Sequence, residues 1–192
     1  MLFDFDGTLT LPGALDFPSI KRELGCPSNI PILEFLETQP VSHREELMVI
    51  LESKEEQAAG ESIPNVGAER CLSTLKERGV LLGIITRNSL KSVIRALKKF
   101  ECIKLKDFAA IVTREDAPPK PHPKSIYQAA LKMGLQTGEL MVVGDFRFDV
   151  MAGKAAGVYT VLLTNGGRSS MLPGDPDPDY TINHLDELLI LI

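Results

Sequence analysis

No surplus of positive charge runs through this sequence of 192 residues: 21 lysines and arginines stand against 26 aspartates and glutamates, a net charge of -5. That balance gives no electrostatic reason to expect a nucleic acid or an anionic membrane as partner. Any anion the chain binds must be held by a few local cations. Cysteine is scarce. Cys26, Cys71 and Cys102 lie far apart, are odd in number and form no CxxC pair, which argues against a disulfide framework or a zinc site and for small buried hydrophobes in a reducing cytoplasm. No basic segment followed by a long apolar run opens the chain, so no signal peptide is expected. The longest apolar stretches, such as residues 80–85, are far too short to span a bilayer. No internal repeat is present. What is there, 44% apolar and 24% charged residues, is the make-up of an ordinary folded chain with one core domain and a modest insertion.

The pattern changes character along the chain. Residues 1–3 read as the end of a strand, stopped by the Gly7-Thr8 turn. Residues 11–64 are punctuated by Pro12, Pro18, Pro27, Pro31, Pro40 and Pro64, and carry apolar residues at helical spacing in 30–37 and 43–59. This segment reads as a small all-helical insertion, leaving 1–10 and 65–192 as the core. From Val66 onward helices and strands alternate: helix 68–78, strand 80–85, helix 90–99, strand 109–112, helix 124–133, strand 140–143, helix 150–156, strand 158–163, with Gly79, Gly134 and Gly157 as stops. Continuous apolar strands alternating with helices predict an α/β fold, a Rossmann-like parallel sheet covered on both faces. A polar loop is expected over 166–179 and a closing helix over 186–192.

In an open parallel sheet, ligands bind beyond the carboxyl ends of the strands, so the residues leaving each strand carry the chemistry. The first strand runs into Asp4-Phe5-Asp6-Gly7-Thr8, the second into Thr86-Arg87-Asn88. Lys120 follows the third, and the fourth ends in Gly144-Asp145 with Asp149 four residues on. Carboxylates, a hydroxyl and cations at one rim match the needs of phosphoryl transfer: a nucleophile, a charge-neutralising metal, donors to the phosphoryl oxygens and an acid for the leaving group. Asp4 can attack phosphorus and Asp6 can protonate the leaving alcohol. Asp4, Asp145 and Asp149 offer hard oxygens that suit Mg²⁺. Thr86 and Lys120 can bind the phosphoryl oxygens.

These motifs, in this order, resemble the haloacid dehalogenase-like hydrolase superfamily, in its phosphoglycolate phosphatase and β-phosphoglucomutase-like branch with a small helical cap. The resemblance rests on Asp4-Phe5-Asp6-Gly7-Thr8-Leu9-Thr10, Ile84-Ile85-Thr86-Arg87-Asn88-Ser89, Lys120-Pro121 with Pro123, and Gly144-Asp145 with Asp149. It implies a Mg²⁺-dependent phosphatase acting on a small phosphorylated metabolite. Asp4 would be nucleophile and metal ligand. Asp6 would be general acid and base, with its backbone carbonyl on the metal. Thr86 and Lys120 would hold the phosphoryl group, with Asn88 and the rim cation Arg87 helping. Asp145 and Asp149 would serve the metal, and 11–64 would be a cap that closes over the site. Asp6 favours ester over carbon–halogen chemistry, because a halide leaves without an acid and the dehalogenating relatives generally lack this second Asp. One departure stands out: the family's first strand usually has several more residues before the nucleophile than the three found here.

Each residue also has a plainer reading. Asp4 and Asp6 can cap a turn. Asp145 and Asp149 can begin a helix. Lys120 can be a solvated lysine, and Ser89 is better placed than Thr86 as a helix N-cap. The four motifs together outweigh these. His43 reads as a surface residue near a helix start, His122 stands beside Lys120 within reach of the site but is not read as a catalyst, and His184 has no case. Two other functions share the core residues: a phosphomutase, and a non-catalytic phosphate-binding protein.

Overall fold

The computed structural model describes residues 1–191. Six parallel strands form one sheet: β1 Leu2–Phe3, β2 Leu82–Ile85, β3 Phe108–Val112, β4 Met141–Gly144, β5 Tyr159–Leu163 and β6 Tyr180–Ile182, in the order β3-β2-β1-β4-β5-β6. The order reverses between β1 and β4, and the crevice beyond a reversal is where such sheets bind ligands. The strands alternate their side chains between faces. Phe3, Ile84 and Val143 enter the cluster under helices α4 (Ala68–Glu77) and α5 (Leu90–Leu97). Leu2, Ile85 and Val142 enter the opposite one, under α6 (Lys124–Met133) and α7 (Arg147–Ala156). Burying each such side chain contributes about 1.5–3 kcal/mol, which is why these strands read as continuous apolar runs.

β1 is short, yet it lies in the middle of the sheet. The Gly83 N–H donates to the Met1 carbonyl at 2.9 Å, and the Asp4 N–H donates to the Val143 carbonyl at 2.8 Å. The ladder therefore starts at Met1 on the β2 side and runs to Asp4 on the β4 side.

The insertion contains α1 (Phe17–Leu24), α2 (Ile32–Glu37) and α3 (Val41–Glu61). Pro18 lies in the first turn of α1, while Pro31 and Pro40 stand at the N-caps of α2 and α3, positions where a missing N–H costs nothing. The helices share a cluster of Ile20, Leu24, Leu33, Leu36, Leu47 and Leu51. The end of α3 belongs elsewhere, since Ala59 packs into the cluster beneath α4 and α5. The two crossing strands of the neck pair through an antiparallel bridge between Thr10 and Pro64, with Leu11 N–H to the Ile63 carbonyl at 2.9 Å and Asn65 N–H to the Leu9 carbonyl at 2.8 Å.

Several boundaries differ from the sequence expectation. β2 starts at Leu82, the first residue paired with β3, and Leu81 before it is exposed. α7 begins at Arg147, three residues before the apolar run that marks it. β6 has no apolar run at all: only Ile182 of its three residues is buried, at the sheet edge. The expected closing helix is a 3₁₀ turn at Leu185–Ile190, and Ile192 lies outside the described residues. Among the described residues no helix is long and apolar enough to cross a membrane. The three cysteines are free.

Candidate active site

The carboxyl ends of β1, β2 and β4, together with the loop after β3, converge on one buried lysine. Lys120 Nζ donates to Asp4 Oδ1 at 2.6 Å, to Asp149 Oδ1 at 2.6 Å and to the Ile85 carbonyl at 2.7 Å. All three ammonium donors are thus used. Burial works against the charge, but Asp149 and Asp4 more than offset it and hold the lysine above its ordinary value. Lys120 is therefore a fixed cation and not a solvated side chain.

Asp145 comes off β4 beside this pair. Its carboxylate is so close to the first turn that a Cβ on Gly7, whose φ is 75°, would lie 2.2 Å from Asp145 Oδ2. Only glycine fits there. Gly144 is constrained in the same way, since a Cβ would lie 2.1 Å from Asp149 Cγ. Asp4, Asp145 and Asp149 bring carboxylate oxygens within 4.8 Å of one another. Burial, followed by the charges of Asp4 and Asp149, pushes the Asp145 carboxyl well up. Burial also raises Asp149, against the pull of Lys120. Three hard-oxygen donors that repel one another suit a divalent cation such as Mg²⁺. Of the three, Asp149 is the most committed elsewhere, because its second oxygen accepts the Phe146 N–H at 3.2 Å.

Asp6 stands apart from that cluster. Asn88 donates its side-chain amide to Asp6 Oδ2, and the Thr10 hydroxyl donates to Asp6 Oδ1 at 3.4 Å. Burial and the charge of Asp4 push the Asp6 carboxyl up to about 7, with the Asn88 bond pulling the other way. A carboxyl poised near neutral pH can give and take a proton.

Thr86 is buried, and its hydroxyl accepts the Asn88 N–H at 3.1 Å, while Ser89 caps α5 by accepting the Ser92 N–H. Arg87 is at the rim, but its guanidinium turns to the insertion. It forms a fork with Glu34 of α2 at 2.9 and 2.6 Å, donates to the Lys120 carbonyl and lies 5.0 Å from the Phe148 ring centre. The cation that the sequence offered for phosphate is thus engaged by a carboxylate in this conformation.

Other residues at the site carried no motif. The Asn65 amide donates to the Thr8 carbonyl at 2.8 Å and to Asn165 Oδ1 at 2.9 Å, and Asn165 donates to the Gly7 carbonyl at 2.7 Å. Asn165 has φ 53° and opens an Asn-Gly turn just past β5, a strand-end signal that could have marked it. The Ser170 hydroxyl donates to the Asp145 carbonyl at 3.0 Å. His122 accepts the Lys124 N–H at 3.1 Å, which is a loop role.

Residues 16–163 match the family model described as haloacid dehalogenase-like hydrolase. The Saccharomyces cerevisiae protein named Uncharacterized hydrolase YOR131C is 33% identical over 195 residues, covering all of this chain and 89% of the relative. The phosphoglycolate phosphatase of Mannheimia succiniciproducens is 34% identical over 130 residues, 67% of this chain and 56% of the relative. Among solved structures, a hydrolase from Pseudomonas syringae superposes with a TM-score of 0.78 at 23% identity, covering 98% of this chain and 95% of that one. A family match over most of the chain joins a parallel sheet whose strand ends gather the motif residues around one buried lysine: the chain belongs to the haloacid dehalogenase-like hydrolases.

Proposed function

We propose that the protein is a Mg²⁺-dependent phosphatase that hydrolyses a small phosphomonoester in the cytoplasm, with Asp4 as nucleophile. The observation that carries this reading is the arrangement around Asp4: Lys120 fixed on its Oδ1 at 2.6 Å, and Asp6 held separately by Asn88 with its carboxyl pushed up to about 7. One carboxylate carries an ammonium on its oxygen, and a second, two residues away, is kept protonatable by burial. Environments that drive two carboxyl groups apart are how acid and nucleophile roles divide.

A carboxylate oxygen of Asp4 forms a bond to phosphorus while the ester P–O bond breaks. The departing oxygen takes the proton of Asp6, giving free alcohol and an aspartyl-phosphate. Asp6, now ionised, takes a proton from water. That water attacks phosphorus, the Asp4–phosphorus bond breaks, and inorganic phosphate leaves. Thr86 holds the phosphoryl oxygens together with Lys120, which exchanges one of its three hydrogen bonds for a phosphoryl oxygen, with Asn88 and Arg87 at the edge of the pocket. Asp4, Asp145, Asp149 and the Asp6 carbonyl would hold the Mg²⁺, which supplies charge neutralisation between a carboxylate cluster and a phosphate dianion. Residues 11–64 act as a cap that excludes water. Their own apolar cluster, which ends at Leu51, supports a separate unit, with the end of α3 anchored in the core at Ala59. The phosphoglycolate phosphatase relative supports a small anionic metabolite as substrate.

Phosphate release from para-nitrophenyl phosphate tests the reading, with Mg²⁺ or with chelator, and with Asp4→Asn as control. Mg²⁺-dependent turnover lost in the variant is expected. Wild-type turnover from Asp4→Asn would remove the nucleophile assignment.

A further inference from the structure

The buried charged residues among those described are Glu55, Lys120 and Asp149. Two belong to the cluster around Asp4. Glu55 does not: it lies on α3, a helix whose buried face is otherwise Leu47, Leu51, Ala58 and Ala59. Its partner is Arg114, which leaves β3 at its carboxyl end with its side chain only 7% exposed. Arg114 Nη1 donates to both Glu55 oxygens, at 2.6 and 2.7 Å, and its Nη2 reaches Glu52 at 3.4 Å.

Both residues also grip one short stretch of backbone. Arg114 Nη1 donates to the Arg87 carbonyl at 3.3 Å and the Arg114 N–H donates to the Asn88 carbonyl at 3.4 Å, while the Ser89 N–H faces Glu55 and favours its charged form. Arg114 thus holds the carbonyls of residues 87 and 88 in succession, with Ser89 against Glu55, and the side chain of Asn88 is the one that holds Asp6 Oδ2. Stability is a poor reason for a buried ion pair, because apolar residues of similar volume serve as well or better. A buried guanidinium shared between Glu55, Glu52 and the Arg87 carbonyl does supply fixed direction.

We propose that Glu55 and Arg114 are positioning residues: their ion pair fixes the segment from Arg87 to Ser89 so that Asn88 presents Asp6 to the leaving oxygen. The inference rests on Asp6 being the general acid, and it makes the catalytic geometry depend on a residue of the insertion.

The test is leaving-group dependence. kcat/KM reports the steps up to phosphoenzyme formation, where the acid acts on the departing oxygen. Phenyl phosphate needs that proton far more than para-nitrophenyl phosphate, and the two esters have similar shapes. The reference variant Asp6→Asn should lose kcat/KM for phenyl phosphate by roughly 10²-fold or more, with a distinctly smaller loss for the nitrophenyl ester. Glu55→Gln and Arg114→Gln should repeat the pattern on a smaller scale, about tenfold against about twofold, as a misaimed acid retains part of its effect. Each single variant leaves one buried charge unpaired and can fail to fold. The double variant Glu55→Leu with Arg114→Met removes both charges together; it should fold and show the same selective loss. An equal loss on both esters, or no loss, from the folded double variant would overturn the proposal while leaving Asp6 in place. An equal loss from Asp6→Asn itself would remove the acid assignment, and the proposal with it.

Discussion

Lys120 and Asp149 form an ion pair at 2.6 Å in which the two side chains are 3% and 2% exposed. The same ammonium reaches Asp4 at 2.6 Å. One ammonium thus bridges two carboxyl groups that would otherwise face each other across the end of the sheet. Lys120→Met should therefore lose both turnover and stability. Removing one partner of a buried pair costs about 3–5 kcal/mol, because the uncompensated charge stays behind. Urea unfolding of the metal-free protein measures this loss. Added Mg²⁺ should restore part of it, since a cation among Asp4, Asp145 and Asp149 replaces some of the missing positive charge. A Lys120→Met variant as stable as the parent would show that the carboxylates tolerate each other unaided.

Much of this site was legible because its residues sit where strands end. Asp4, Thr86 and Asp145 follow apolar runs that only a doubly covered parallel sheet explains, and the sheet order then brings them together. Lys120 was legible only through its motif; nothing local distinguishes it from a solvated lysine in a proline-rich loop. Arg114 also leaves a strand at its carboxyl end, as the strand-end argument would have flagged, but its partner Glu55 looks like any polar residue on a long helix. Helical spacing puts Glu55 on the stripe of Leu47, Leu51 and Ala58, but not the partner that packs on that stripe, the loop after β3. β6 was missed for a related reason, as an edge strand with two exposed residues has no hydrophobic pattern to read. Arg87 could be placed at the rim, but where its flexible side chain points is decided by Glu34, a residue 53 positions away.

That fork between Arg87 and Glu34 joins core and insertion, and it occupies a cation that a phosphoester could use. Both side chains keep some solvent contact, at 22% and 36% exposed, so the pair contributes no more than about 1 kcal/mol to stability. Glu34→Gln should melt close to the parent yet lower KM for an anionic ester, because the guanidinium is no longer neutralised. Arg87→Met should raise KM. Steady-state kinetics at low and high salt separate the outcomes, since the KM difference between parent and Glu34→Gln should shrink as salt screens it. Unchanged KM in both variants would place Arg87 outside the binding pocket.

Asn65 holds the first turn from outside. Its amide bonds to the Thr8 carbonyl and to Asn165, and its oxygen accepts the Val66 N–H at 2.8 Å. Asn65→Ala leaves these buried groups without partners, a loss of about 1–3 kcal/mol that chemical denaturation can read. Activity should fall as well, because the Gly7–Thr8 turn sets the spacing between Asp4 and Asp6. Asn65→Asp should be worse at the Thr8 carbonyl, where it offers an acceptor to an acceptor.

Far from the site, Asp107 ties the β3 entry to α4. It accepts from Lys76 at 2.5 Å and from the Lys104 N–H at 2.8 Å. The Lys76 bond, then the Lys104 bond, holds its carboxyl below the ordinary 3.8. The folded chain therefore binds this proton less readily than the unfolded chain does. The sign follows: Asp107 contributes stability that is fully present above its unfolded value of about 3.9 and is lost as pH falls through the lower folded value. Asp107→Asn should destabilise by roughly 1 kcal/mol at pH 7, the upper end for an exposed pair. The gap between variant and parent should then close as both are acidified through the lowered folded value. Urea titrations of the two proteins across that range measure the gap directly. A gap that stays constant with pH would mean that Asp107 acts through packing and not through its charge.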